Sequence, residues 1–225
     1  QLGVELFRRE GRSPELTPGG ELLLADAKAM LAGMALMKSR ARGMAAGIES
    51  ELSVAVDVMF PMSVLTRTAA VFEKRFPLTP LRLYVEALGG VAKNVLQQQS
   101  QIGILCNLPI SISGLMTERL LAVEMVNVAA PSHPLAMKTA PLGECDMAQH
   151  VQLVLTDRTE LTSGQEFGVH SRRNWRLADL GAKHAFLLAG LGWGGMPLEM
   201  VQDDLDAGRL RELQLQDIPG RAQIS

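Results

Sequence analysis

Between residues 23 and 48 apolar side chains recur at spacings of four and three without a break: Leu23, Ala27, Met30, Met34, Met37, Ala41, Met44 and Ile48. A repeat averaging about 3.5 residues is the seam of a coiled coil, and Asp26, Lys28, Lys38, Arg40 and Arg42 all fall off it. Thr17 can cap the helix, and Pro18 suits its first position, where a missing N–H costs nothing. The pattern predicts one helix over 17–48, about 46 Å long at about 1.5 Å per residue. Such a rod is too long for an ordinary globular helix. Two placements fit, a core helix of one domain or a helix pairing with its own copy. The seam is narrow and a second stripe (Leu24, Leu31, Ala35) is short, so pairing is the better reading. Met and Ala knobs allow close, adaptable packing. A homodimer or homotetramer is the expected state.

What precedes the rod begins in the middle of something. Leu2, Leu6 and Phe7 have helical spacing, Arg8, Arg9 and Arg12 follow, and a Gly/Ser/Pro turn occupies residues 11–14. A helix end, a basic turn and a capped long helix are the trailing edge expected of a winged helix-turn-helix. The arginines would then touch DNA phosphates, which set position and salt sensitivity but not sequence choice.

Composition narrows the rest. The 225 residues carry a net charge of −2, so no global basic field marks the whole chain as a DNA-binding domain. No apolar run reaches the roughly 18 residues of a membrane span. Cys106 and Cys145 are far apart and in no motif, which fits a reducing cytoplasm better than a disulfide scaffold.

After a small hinge near 43–47, strands and helices alternate. Strands are expected at 52–58, 81–85, 102–105, 120–129, 151–155, near Trp175 and through 210–215. Helices are expected at 61–76, 91–99, 180–191 and on to about Ala207, with a glycine-rich turn carrying Met196 and Pro197. This order implies mainly parallel sheets with right-handed crossovers. Ligands of such sheets lie beyond the carboxyl ends of strands, where loops and helix N-termini converge. The first strand then delivers Met59, Phe60, Pro61, Met62 and Ser63, the second Leu88, Gly89 and Gly90, the third Cys106 and Asn107. From the later half, Thr156 and Asp157 follow a strand, with Phe167, Val169 and His170 in the next loop. Apolar walls with few polar groups point to a small, partly apolar acid, organic or aromatic.

Other motifs carry less. Residues 190–195 spell G-x-G-x-x-G, but after a helix rather than a strand, so they read as a helix C-cap and sharp turn. His133, His150, His170 and His184 lack metal-ligand spacing. Cys106 reads as a small buried residue before a redox sensor, having no adjacent basic group. Glu199, Asp203, Asp204 and Asp206 read as a solvated helix face. No nucleophile elbow, P-loop or HExxH is present; no enzyme, metal or cofactor is expected.

The run Leu2-Gly3-Val4-Glu5-Leu6-Phe7-Arg8-Arg9, with Leu16-Thr17-Pro18-Gly19-Gly20-Glu21, resembles the close of the DNA-binding domain in LysR-type transcriptional regulators. Residues 75–85 (RFPLTPLRLYV), Ser132-His133-Pro134-Leu135-Ala136, and residues 175–208 with Ala189-Gly190-Leu191-Gly192 and Met196-Pro197 extend the likeness over nearly the whole chain. The resemblance implies a two-lobed α/β effector domain like a type 2 periplasmic binding protein, preceded by a linker helix and the remnant of a winged helix-turn-helix. Its parts would be 1–16 for the remnant, 17–48 for the linker, 49–124 for lobe I, 125–217 for lobe II and 218–225 for a return toward lobe I. It also implies a cytoplasmic regulator that binds double-stranded DNA through helices upstream of Gln1 and a small effector between the lobes. Two departures stand out: Gln101 replaces the usual acidic residue, and the chain stops at Ser225 before the expected last strand and helix. A two-lobed solute-binding protein of a transport system is the alternative, opposed by the seam helix and wing-like start.

Overall fold

The computed structural model describes residues 3–8, 14–45, 51–106, 114–139, 141–156, 158–159, 161–162, 167–216 and 221–224. Two compact units emerge, Gln1–Leu52 with Phe72–Pro80, and Ser53–Val71 with Leu81–Ser225.

In the first unit, β1 (Phe7–Arg8) and β2 (Glu15–Leu16) form an antiparallel ribbon, with Phe7 opposite Leu16 and Arg8 opposite Glu15. The helical spacing of Leu6 and Phe7 therefore misleads, and Leu2 lies outside the described residues. Phe7 and Arg8 take ladder partners in Leu16 and Glu15 instead, and Arg8 adds an ion pair to Glu15 at 3.4 Å. Helix α1 (Pro18–Ala45) follows. Thr17 caps it as expected: its Oγ1 accepts from Gly20 N at 2.9 Å while donating to Glu5 O at 2.7 Å, so one side chain starts the helix and ties it to the ribbon. Residues 46–50, including Ile48, lie outside the described ones. Ala27, Met30, Met34, Met37 and Ala41 are exposed and Leu23 half-buried, so the seam is open at these five positions.

The second unit carries two sheets. β3 (Leu52–Asp57), α2 (Met62–Arg75), β4 (Leu81–Glu86), α3 (Gly89–Leu96) and β5 (Ile102–Ile104) build the first, in strand order β4-β3-β5. β3 and β5 are parallel, Val54 opposite Ile102. Gly89 and Gly90 are not loop residues at a strand end. They form the first turn of α3, where Gly90 N bonds Ala87 O at 2.9 Å. Gln101 accepts from Ser53 N and Oγ at 2.6 and 2.5 Å, an acceptor role an amide fills as an acid would.

β6 (Val123–Ala129) opens the second sheet. After a 3-10 turn at Pro134–Met137 and α4 (Glu144–Ala148) come β7 (Gln152–Leu155), β8 (Asn174–Leu177), α5 (Leu180–Leu188), β9 (Trp193–Pro197), α6 (Leu198–Asp206), β10 (Arg211–Glu212) and β11 (Arg221–Ile224). The order is β10-β6-β9-β7-β8, with β11 also on β6. β7, β8 and β9 are parallel; β6 runs antiparallel to β9, β10 and β11.

The glycine-rich turn is instead β9, an interior strand. Gly190, at φ 72°, does end α5 as expected. Gly192 and Gly194 serve another purpose: a Cβ on either would lie 2.5 Å from a backbone oxygen, of Val151 and Leu153 respectively. Only bare backbone fits that close to β7. Trp193 between them is fully buried among Leu135, Leu142, Met147, Leu213 and Leu215. The other core joins Leu153, Leu155, Leu187, Met196 and Val201 to Ala87 and Leu88 of the β4–α3 turn, so the two sheets share apolar packing.

Candidate functional site

Asp57, at the carboxyl end of β3, is the organising residue that sequence reasoning missed. It is 2 % exposed, yet its carboxylate accepts from Met59 N at 2.8 Å and Leu88 N at 3.1 Å, and Cys106 also hydrogen-bonds it. One side chain thus gathers the three loops that follow β3, β4 and β5. Burial pushes its carboxyl above the usual range, against the pull of the Met59 N–H, the Cys106 thiol and the Leu88 N–H. Cys106 is half-buried, and burial together with the Asp57 charge pushes its thiol upward. A thiol so held stays protonated, which disfavours redox chemistry. Leu88 takes φ 49°, a rare conformation for such a residue, held here by its bond to Asp57.

Beyond Asp57 the chain turns through Phe60, whose N–H bonds Asp57 O at 2.9 Å, and Pro61, whose carbonyl receives Val64 and Leu65 at 3.1 Å each. Met62 and Ser63 open α2 and are exposed. The Ser63 hydroxyl donates to Glu199 in the first turn of α6, a contact between the two sheets' helices.

On the second sheet Thr156 N bonds Leu177 O at 2.9 Å, holding the end of β7 to β8. Phe167 packs against the shared core, as do Val58, Met59 and Leu198. Gln152, a second residue sequence reasoning passed over, pins the loop behind it. Its Nε2 donates to Gly168 O at 2.7 Å, and its Oε1 accepts from His170 N and Ser171 N at 2.7 and 2.9 Å. The His170 backbone N–H is held by that bond, and the residue as a whole is exposed. Asn107, Asp157, Arg9 and Arg12 lie outside the described residues.

Asp204 corrects the solvated-face reading of α6. It is 6 % exposed, 2.6 Å from His184 Nε2 and 2.5 Å from Arg209 Nε. Burial pushes its carboxyl up, but the bonds from Arg209 and His184 outweigh that and hold it below the usual range. His184 is thereby a structural partner joining α5 to α6. No group of three or more metal-ligating side chains gathers among the described residues, and no helix among them is long and apolar enough to cross a membrane.

Two sheets flanked by helices, with loops meeting at their carboxyl edges, form a two-lobed α/β fold of the effector-binding kind, preceded by a two-stranded ribbon and a capped helix. The chain belongs to the LysR substrate binding domain family, whose model matches residues 45–225. Among curated relatives it is 28 % identical over 213 residues to the uncharacterized HTH-type transcriptional regulator YeeY of Escherichia coli strain K12, covering 94 % of this chain and 69 % of that protein. It is 27 % identical over 212 residues to the HTH-type transcriptional activator AllS of Klebsiella pneumoniae, covering 92 % and 78 %. Solved structures share the fold: CrgA, a LysR-type transcriptional regulator from Neisseria meningitidis, gives a TM-score of 0.53 at 22 % identity over 99 % of this chain and 77 % of that one. The regulatory domain of MetR from the same organism gives 0.58 at 18 % identity, over 77 % and 82 %. The family match favours the regulator over the transport-protein alternative. The relatives named here are transcription regulators rather than enzymes.

Proposed function

We propose that this domain senses a small organic or aromatic acid, held between the lobes by Phe60, Pro61, Met62, Ser63, Gly89, Gly90 and Cys106 on one side and Thr156, Phe167 and His170 on the other, with Asn107 and Asp157 completing the set. The observation that carries this reading is the Ser63–Glu199 hydrogen bond. It joins the first turns of helices belonging to different lobes, where a ligand's own acid group would meet free helix N–H groups. A metabolite that prefers one lobe arrangement shifts the population toward it; one with equal affinity for both shifts nothing. The open seam of α1 supports pairing with a second copy, and Arg8, with Arg9 and Arg12, would touch DNA phosphates.

The test is a thermal-shift screen of aromatic and aliphatic acids on the wild type and on Ser63→Ala. An acid that binds raises the melting temperature by mass action, and the variant is expected to lose most of that rise. If no acid stabilises the wild type, or if Ser63→Ala responds equally, the reading fails.

A further inference from the structure

Lys183 lies in the second turn of α5 and is 4 % exposed. Its Nζ donates to Gly195 O at 2.7 Å, its one acceptor among the described residues. No carboxylate among them pairs with it. Asp204 is held by His184 and Arg209, and Asp179 caps the helix through Ala182 N. An ammonium has three donors and buried charge is normally paired, and among the described residues this one has no counter-charge.

Its position gives that lack a meaning. β7 pairs with β8 over four residues but with β9 at one, Gln152 opposite Trp193. Beyond that pair the two strands stay close, Gly194 lying against Leu153, with no further register pair between them. Gly195 carries its carbonyl on the β7 side, as Trp193 carries the N–H that bonds Val151, and the Lys183 ammonium takes the place of a strand partner there. The chain leaves β7 toward β8 and leaves β9 toward β10, on the opposite side of the sheet. The boundary between β7 and β9 is therefore this sheet's topological switch point, beyond whose carboxyl ends ligands of open α/β sheets bind.

We propose that Lys183 supplies the positive charge that recognises the acid group of a small organic anion at the β7–β9 switch point. This rests on the reading of the domain as a metabolite sensor and adds to it a residue and a charge requirement. The four-carbon stem lets the ammonium move from Gly195 to the strand edge. Burial lowers its amine to about 8, so it remains mostly protonated near neutral pH and gains from an arriving anion.

The test compares matched probes that differ in charge alone, benzoate against benzamide and succinate against succinamide, with inorganic phosphate as a third arm. Melting temperature and calorimetric affinity are measured on the wild type, Lys183→Met and Lys183→Arg. The expected result is that at least one anion stabilises the wild type while its amide does not, with affinity falling tenfold or more in Lys183→Met and largely kept in Lys183→Arg. Phosphate acting alone would assign the site to phosphate esters, benzoate or succinate to carboxylates. Equal response to acid and amide, undiminished binding in Lys183→Met, or no response to any probe overturns the proposal. Should Lys183→Met fail to fold, the acid–amide contrast together with Lys183→Arg decides. An acid that still binds Lys183→Met but not Ser63→Ala overturns the role of Lys183 and leaves the sensor standing.

Discussion

A lysine buried with no acid beside it among the described residues has a thermodynamic signature. Burial lowers the Lys183 amine from 10.5 to about 8, so the fold favours the neutral form. Between those values the unfolded chain binds more protons, and stability climbs with pH. Below about pH 8 the full cost applies, about 3 kcal/mol. Lys183→Met escapes it but leaves Gly195 O unpaired at about 1 kcal/mol. The variant is expected to be more stable than the wild type by about 2 kcal/mol at pH 7 in urea unfolding, with the gain gone by pH 10.5. A gain that ignores pH would contradict this. None of it was legible in the sequence. Lys183, Asp57 and Asp204 are ordinary charged residues in a linear chain. What distinguishes them is burial by distant strands and turns: Asp57 meets Leu88 across 31 positions, and no local pattern encodes that meeting. Ser63 was different. Its place at the start of a helix just past a strand followed from local pattern, although its partner Glu199 did not.

At the scale of elements, local pattern served well wherever one face decides the structure. The Thr17 cap, the long helix and the alternation of strand and helix all follow from local periodicity. It failed where tertiary packing overrode propensity. Phe7 and Arg8 became strand because Leu16 and Glu15 lie opposite. Residues 193–197 became an interior strand because glycines allow β9 to approach β7. Gly194→Val is accordingly expected to cost about 3 kcal/mol or more, seen as a lower urea midpoint, since its Cβ would meet Leu153 O at 2.5 Å. A tolerated valine would mean the two strands are not so close. For α1 the expectation concerns assembly. Met34 is 50 % exposed, so Met34→Glu should leave the helix signal in circular dichroism intact while weakening self-association about tenfold or more. Lys38→Glu, off the seam, should leave it unchanged. Sedimentation equilibrium separates the two, and equal behaviour would remove the seam from any role in pairing.

For the whole molecule the central claim is that a small acid acts at the edges where the two sheets' loops meet. The apolar core shared through Ala87 and Leu88, the Asp57 clasp and the Ser63–Glu199 bond all lie along that seam of the fold, so a ligand there stabilises both sheets at once. Other groups are spectators on this account, including the His133–His150 ring pair, whose centroids lie 5.1 Å apart. Hydrogen–deuterium exchange measured with and without the best-stabilising acid tests the claim most directly. Added protection is expected at residues 57–65 and 86–92, with a matching rise around 152–156 and 195–199. Protection confined to α1, spread evenly over the chain, or absent with every acid would contradict it.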